Sequence, residues 1–323
     1  MRFLTIILFI FCACSKGLDD DMGFVPKYNA SFFLIQNAID ERSISCISKD
    51  GILVPNWEKK VTNEKISHFI INQSEMFICT PEKAQIQLIN LEDNSNIATI
   101  NWQNAYPTTI CLGKKYLLAL DNKNNKIAYF KRKNNDFELV KELQTHAEPI
   151  SAIYHSVGRF YIQIGQYSVG VYDEAGISEV AHYSFMTKLI DLTIDGYFNI
   201  QLTTNQNDSL FYTAYISVTN RLPSNETLLP YSNYKLRYTP FNKPIFETEY
   251  LGNVALTNNI IHQVPSTDSI LNFEVDFNNS TLFYQRNDSL YQYDLQGNKG
   301  IINRFLFENQ LLGAEHYYER QKE

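Results

Sequence analysis

The chain has 323 residues, with 28 Lys or Arg against 35 Asp or Glu, for a formal net charge of −7. An acidic chain without basic clusters is a poor candidate for nucleic-acid binding, which rests on Lys and Arg at phosphates. Aromatic residues reach 14%; together with β-branched residues they suit a pleated, half-buried surface, so composition leans towards an all-β fold.

The first element in chain order is an export signal. Met1-Arg2 is followed by an apolar run from Phe3 to Ala13, broken only by Thr5. A short positive end before an apolar stretch is the form of a secretory signal. As a helix, about 11 residues would span roughly 16 Å, half of a hydrocarbon core of roughly 30 Å, which is too short to cross a membrane. Residues 1–13 are therefore read as a signal peptide.

The run ends Ile10-Phe11-Cys12-Ala13-Cys14-Ser15. This resembles the lipobox of bacterial lipoproteins, with Phe11 and Cys12 departing from the usual aliphatic and small residues in the manner of looser lipoboxes from the Bacteroidota. The resemblance implies that the Cys14 thiol takes up diacylglycerol, that cleavage leaves Cys14 at the N-terminus, and that palmitate-type chains hold the protein on the outer membrane. Two or three acyl chains, at roughly 0.8 kcal/mol per buried methylene, anchor far better than one. The alternatives are an ordinary signal peptide cut elsewhere, or modification of Cys12; Ala13 directly before Cys14 favours Cys14. Residues 14–23, with Gly17 and Asp19-Asp20-Asp21, read as a solvated tether. The acidic stretch also resembles the surface-export signal of Bacteroidota lipoproteins, which implies display at the cell surface; a plain spacer is the alternative.

Residues 24–323 read as one domain of short alternating strands. Ser31–Gln36, Ser43–Ser48 and Gly51–Val54 are followed by Ile86–Ile89 and Ile97–Ile100, by Phe160–Ile164 and Val169–Tyr172, and by Leu282–Tyr284 and Leu290–Tyr293. Period-two runs with short polar turns read as antiparallel meanders. Tyr172-Asp173-x-x-Gly176 recurs as Tyr293-Asp294-x-x-Gly297, and Asn207-Asp208-Ser209-Leu210-Phe211 recurs as Asn287-Asp288-Ser289-Leu290-Tyr291. Both separations are multiples of about forty residues. Turns are expected near positions 51, 92, 132, 173, 212, 252 and 295, and Lys131-Arg132-Lys133 reads as a charged turn. Asn220–Tyr234 reads as a loop within a blade.

A forty-residue repeat of four short strands resembles a β-propeller blade. The resemblance implies seven four-stranded antiparallel blades, with six blades or a β-sandwich pair as alternatives. The segment after Leu311 would supply the fourth strand of the first blade and clasp the ring shut. No Trp-Asp dipeptide or kelch signature is present.

Little in the sequence points to chemistry. Cys46, Cys79 and Cys111 each sit beside an apolar residue and read as buried small hydrophobes, with one disulfide possible. His68, His146, His155, His182, His262 and His316 show no metal-type spacing, and no cofactor motif or catalytic signature is present. Asp208-Ser209-Leu210, Asp268-Ser269-Ile270 and Asp288-Ser289-Leu290 resemble the O-glycosylation acceptor of the Bacteroidota, which implies exposed hydroxyls at Ser209, Ser269 and Ser289; good β-turns are the plainer reading. Aromatic pairs such as Tyr183 with Phe185 read as packing between blades. The expected function is a membrane-anchored propeller that binds a protein or glycan at the envelope. The alternatives are a subunit of an envelope assembly complex, or a glycan-active enzyme with its site in the central channel.

Overall fold

The computed structural model describes residues 30–37, 42–48, 52–54, 66–72, 75–91, 95–194, 199–206, 210–217, 223–224, 227–228, 236–238, 244–248, 253–256, 270–276, 281–286, 288–296, 300–306 and 310–316. Within them lie seven sheets, all antiparallel.

The clasp unites the two ends of the chain. Its order is β27-β1-β2-β3, where β1 is Ala30–Asn37, β2 Arg42–Ser48, β3 Leu53–Val54 and β27 Gln310–His316. Five sheets are regular blades of four consecutive strands. The first holds β4 (His68–Asn72), β5 (Glu75–Thr80), β6 (Gln85–Asn90) and β7 (Asn96–Asn101). The second holds β8 (Pro107–Leu112), β9 (Tyr116–Asp121), β10 (Lys126–Lys133) and β11 (Asp136–Gln144). The third holds β12 (Pro149–His155), β13 (Arg159–Ile164), β14 (Ser168–Asp173) and β15 (Ser178–Ser184). The fourth holds β16 (Lys188–Ile194), β17 (Ile200–Gln206), β18 (Leu210–Ile216) and β19 (Thr227–Leu228). A three-stranded sheet follows, with β20 (Leu236–Tyr238), β21 (Pro244–Thr248) and β22 (Asn253–Leu256). The fifth regular blade holds β23 (Ile270–Asp276), β24 (Thr281–Arg286), β25 (Ser289–Asp294) and β26 (Ile301–Leu306).

The sequence expectation of seven regular blades, with six as the alternative, is thus corrected to five regular blades, a clasp shared by the chain ends and a three-stranded sheet. The pattern weakens where Pro223, Pro230, Pro240 and Pro244 fall within 22 residues, because proline brings no ladder donor. Two further placements change. Position 212 lies inside β18, and Lys131-Arg132-Lys133 ends β10 instead of forming a turn. Arg132 is held there by Glu75 of the preceding blade, with Nη2 to Oε1 at 2.7 Å. Part of the expected loop 220–234 forms β19.

The first strands touch in sequence around a closed circuit: β27 with β4, then β8, β12, β16, β20, β23 and back to β27. Apolar seams hold neighbouring blades together. Between the first and second regular blades lie Phe77, Ile86, Leu88, Ile110, Leu117 and Phe130, with Trp102. The Trp102 ring is buried, meets Phe130 edge-on at 6.0 Å, and donates from Nε1 to Glu142 Oε2 at 2.8 Å. Side chains of this kind contribute about 1.5–3 kcal/mol each on burial.

A polar girdle reinforces the seams near the ring axis. β-Bulges interrupt the pairing of β8, β12 and β16 at Thr108, Ile150 and Ile190. A bulge disrupts the ladder locally, and a donor from the preceding blade reaches a carbonyl at or beside each one. Ser67 Oγ donates to Pro107 O at 3.2 Å, Thr109 Oγ1 to Ile150 O at 3.2 Å, and Gln163 Nε2 to Leu189 O at 3.1 Å.

Candidate binding face

The strand order gives the ring two ends. Each blade-to-blade connector leaves an outermost strand and enters the next first strand at the same end, here called the connector face. Three connectors are pinned to the turn between second and third strands of the blade they leave. Trp102 N donates to Ala84 O at 2.9 Å, Thr145 N to Asn125 O at 2.8 Å, and Phe185 N to Tyr167 O at 2.8 Å. Leu189 N adds a bond to Gln166 O at 2.6 Å. These three loop pairs are therefore held in place by backbone hydrogen bonds, and loops on a fixed scaffold are a usual location for binding residues.

Those loops present aromatic and amphipathic groups to solvent. Met186 is 99% exposed and Tyr167 52%, on two loops joined by the Phe185–Tyr167 bond. Large apolar side chains held outward at this level are what protein interfaces use as anchors. Further round the ring, Tyr106 donates its hydroxyl to Glu82 Oε1 at 2.8 Å, while Lys123 Nζ stands 5.1 Å from the Tyr106 ring centre. His146 and His182 meet with ring centres 4.9 Å apart.

On the opposite face, one buried carboxylate ties the third regular blade to the second. Glu174, in the turn after β14, is 3% exposed. Its Oε1 accepts from Lys115 N and Tyr116 N of the preceding blade, and its Oε2 accepts from Tyr154 OH at 2.8 Å. Gly113 makes room: a Cβ there would stand 2.6 Å from Glu174 Oε1 and 2.5 Å from Phe160 Cζ. Both oxygens of this carboxylate are engaged by structural donors.

The chain matches no protein-family description and no curated protein by sequence. Solved structures do match. Dihydro-heme d1 dehydrogenase NirN in complex with DHE is 12% identical, with a TM-score of 0.60 over 90% of this chain and 77% of that one. The Dos1 propeller is 7% identical, with a TM-score of 0.59 over 89% and 86%. Virginiamycin B lyase from Staphylococcus aureus is 12% identical, with a TM-score of 0.58 over 80% and 92%. The fold is a β-propeller. A dehydrogenase and a lyase share it, so function has to be argued from sites carried on the ring.

The propeller places the expected site residues as follows. Cys14, Ser209 and Ser269 lie outside the described residues. Ser289 is 1% exposed: its hydroxyl donates to Asp288 Oδ1 at 3.0 Å and accepts from Arg304 Nε and Nη2 at 3.1 and 3.0 Å. The expected exposed acceptor is therefore corrected at Ser289, where glycosylation would require the turn to open or to be modified before folding. Cys46, Cys79 and Cys111 are buried free thiols, as their apolar neighbours suggested. Burial pushes the Cys46 thiol up to about 12 and raises Cys79 as well, so both stay protonated and inert. Tyr183 and Phe185 pack on the seam between the third and fourth regular blades.

Sequence spacing missed the histidine pair, because His146 lies on a connector and His182 on the next blade's outermost strand. No set of three His, Cys, Asp or Glu side chains among the described residues is arranged to hold a metal ion.

His68 supplies a pH test of the ring. On β4, its Nδ1 faces Ile110 N of the next blade at 3.4 Å, and desolvation lowers its pKa from 6.5 to about 4. The folded state thus resists a proton that the unfolded chain accepts. This contribution to stability is complete above pH 6.5 and is lost as pH falls towards 4. Urea titrations at pH 7 and pH 4.5 should show a smaller drop for His68→Gln than for the wild type; equal drops would contradict this assignment.

Proposed function

We propose that this chain is a lipid-anchored protein of the bacterial outer membrane whose propeller binds a protein or glycan partner through its connector face. The observation that carries the reading is the outward presentation of Tyr167 and Met186 on loops fixed by backbone hydrogen bonds. Chain direction supports it. β1 runs antiparallel to β27, which enters from the connector face, so Ala30 lies at the opposite end of the ring. Fifteen residues lie between Cys14 and Ala30, and the sixteen Cα steps allow a reach of at most about 53–58 Å. A lipid at Cys14 would then attach the ring at the end opposite the connector face, and a tether of this reach would leave Tyr167 and Met186 free to face away from the bilayer. Ser209 and Ser269 are candidate O-glycosylation sites in this reading.

The anchor is tested by growing cells with radioactive palmitate. The wild-type product should carry label and partition with membranes, and Cys14→Ala should carry none; an unlabelled wild type overturns the anchor. The face is tested by pull-down from the protein's own envelope. A Tyr167→Ser, Met186→Ser double variant should lose the captured partner while unfolding at the wild-type urea midpoint. Undiminished capture overturns the face without touching the anchor.

A further inference from the structure

The geometry points to a transition-metal site at His146 and His182, oriented by Glu179 and taking a borderline divalent ion such as zinc. His146 stands on the connector into the third regular blade, and His182 near the connector end of that blade's outermost strand. Their ring centres are 4.9 Å apart, with planes at 62°. Metal–imidazole bonds of about 2.0–2.1 Å let two rings at such a separation share one ion.

The arrangement around His182 carries the argument further. In a regular strand residues three apart face opposite sides of the sheet. The pairing of β14 with β15 skips Val180, and this bulge puts Glu179 on the same side as His182. Glu179 Oε1 lies 2.9 Å from His182 Nδ1. A carboxylate on Nδ1 fixes the tautomer with its proton there and leaves Nε2 as the lone-pair donor, the usual support of a metal-binding imidazole. Space for that carboxylate comes from Gly170, the cross-strand partner of His182. A Cβ on Gly170 would approach Glu179 Oε1 to 3.2 Å, Tyr172 Cε2 to 2.8 Å and Ile164 Cδ1 to 2.9 Å.

The other blades act as internal controls. The same bulge recurs on β7, β11 and β26, skipping Ile97, Val140 and Ile302. The two positions flanking it are Asn96 with Thr99, Leu139 with Glu142, and Ile301 with Arg304. The bulge is therefore a device of the fold, whereas the carboxylate–imidazole pair facing a second imidazole belongs to the third regular blade. Both residues of that pair are partly open, with side chains 34% and 39% exposed. Two protein nitrogens leave the ion with open positions for water or for a donor from a bound partner, and the site stands whether or not the chain is lipidated.

The test is zinc alone, titrated in competition with a chelating indicator into tag-free full chain whose accessible thiols are alkylated. One equivalent should bind. His146→Ala and His182→Ala should each weaken binding by at least about tenfold, and Glu179→Gln by about tenfold with the stoichiometry kept, as loss of a supporting carboxylate does. All three side chains are surface groups, and circular dichroism should match the wild type. No saturable binding by the wild type, or wild-type affinity in a His146→Ala, His182→Ala double variant, overturns the site.

Discussion

Deleting residues 310–323 is expected to abolish the single cooperative unfolding transition of the ring. β27 pairs with β1 along Gln310–His316 and touches both β4 and β23, so it belongs to the clasp and to the seams on either side of it. Without it, the inner edge of β1 loses its ladder partners at the ring axis. Each ladder hydrogen bond exchanged for water removes about 0.5–1.5 kcal/mol. Several of them, added to the lost contacts with β4 and β23, are comparable to the roughly 5–15 kcal/mol by which a domain is stable. An exposed flat edge also templates association with other chains. The truncated protein should therefore aggregate, or unfold over a broad urea range followed by circular dichroism. A synthetic peptide of residues 307–323 should restore a sharp transition when added in excess. A truncated chain with the full-length midpoint would mean that the ring closes elsewhere.

That clasp was legible in the sequence, for a physical reason. Strand alternation is local, and Ser31–Gln36 and Ser43–Ser48 left a first sheet one strand short, which the segment after Leu311 could fill. The forty-residue period was legible through turn residues such as Asp173 and Gly176, where the Gly176 amide bonds Asp173 Oδ2 at 3.0 Å. What stayed hidden depends on contacts between blades. Arg132 looked like part of a turn because its partner, Glu75, lies 57 residues away. Ser289 looked like an exposed turn residue because Arg304, which covers it, lies on the next strand. Spacing could not bring His146 and His182 together, since the connector and the bulge at Val180 decide where both rings point. The two Asp-Ser turns that matched in sequence need not match in exposure, because burial is set by the strand alongside.

Glu174 is the second place where one change should have a large effect. Its carboxylate stitches the third regular blade to the second through two backbone amides and supports Tyr154, and it does so without a cation. Burial, with the bond to Glu174, raises the Tyr154 phenol to about 12, so Tyr154 remains a donor at any physiological pH. Glu174→Ala takes the acceptor from three donors in a part-buried seam, where Tyr116 and Tyr154 are half-buried and Lys115 is open to water. At about 1–3 kcal/mol for each buried unsatisfied group, with water taking up the Lys115 amide, the loss should be about 2–4 kcal/mol, read as a lower urea midpoint at unchanged slope. Glu174→Gln keeps an oxygen for the two amides and turns its NH2 towards the phenol oxygen, which can accept, so its loss should be about 1–2 kcal/mol. A Gly113→Ala change attacks the same seam from the other side, by driving a methyl group against Glu174 and Phe160. Residues in contact do not add: Glu174→Ala removes one of the three obstacles to that methyl, leaving Phe160 and the Tyr116 carbonyl, so the double variant should lose less than the sum of the singles. Strict additivity would mean that Gly113 and Glu174 serve separate purposes, and that the carboxylate is not what closes this seam.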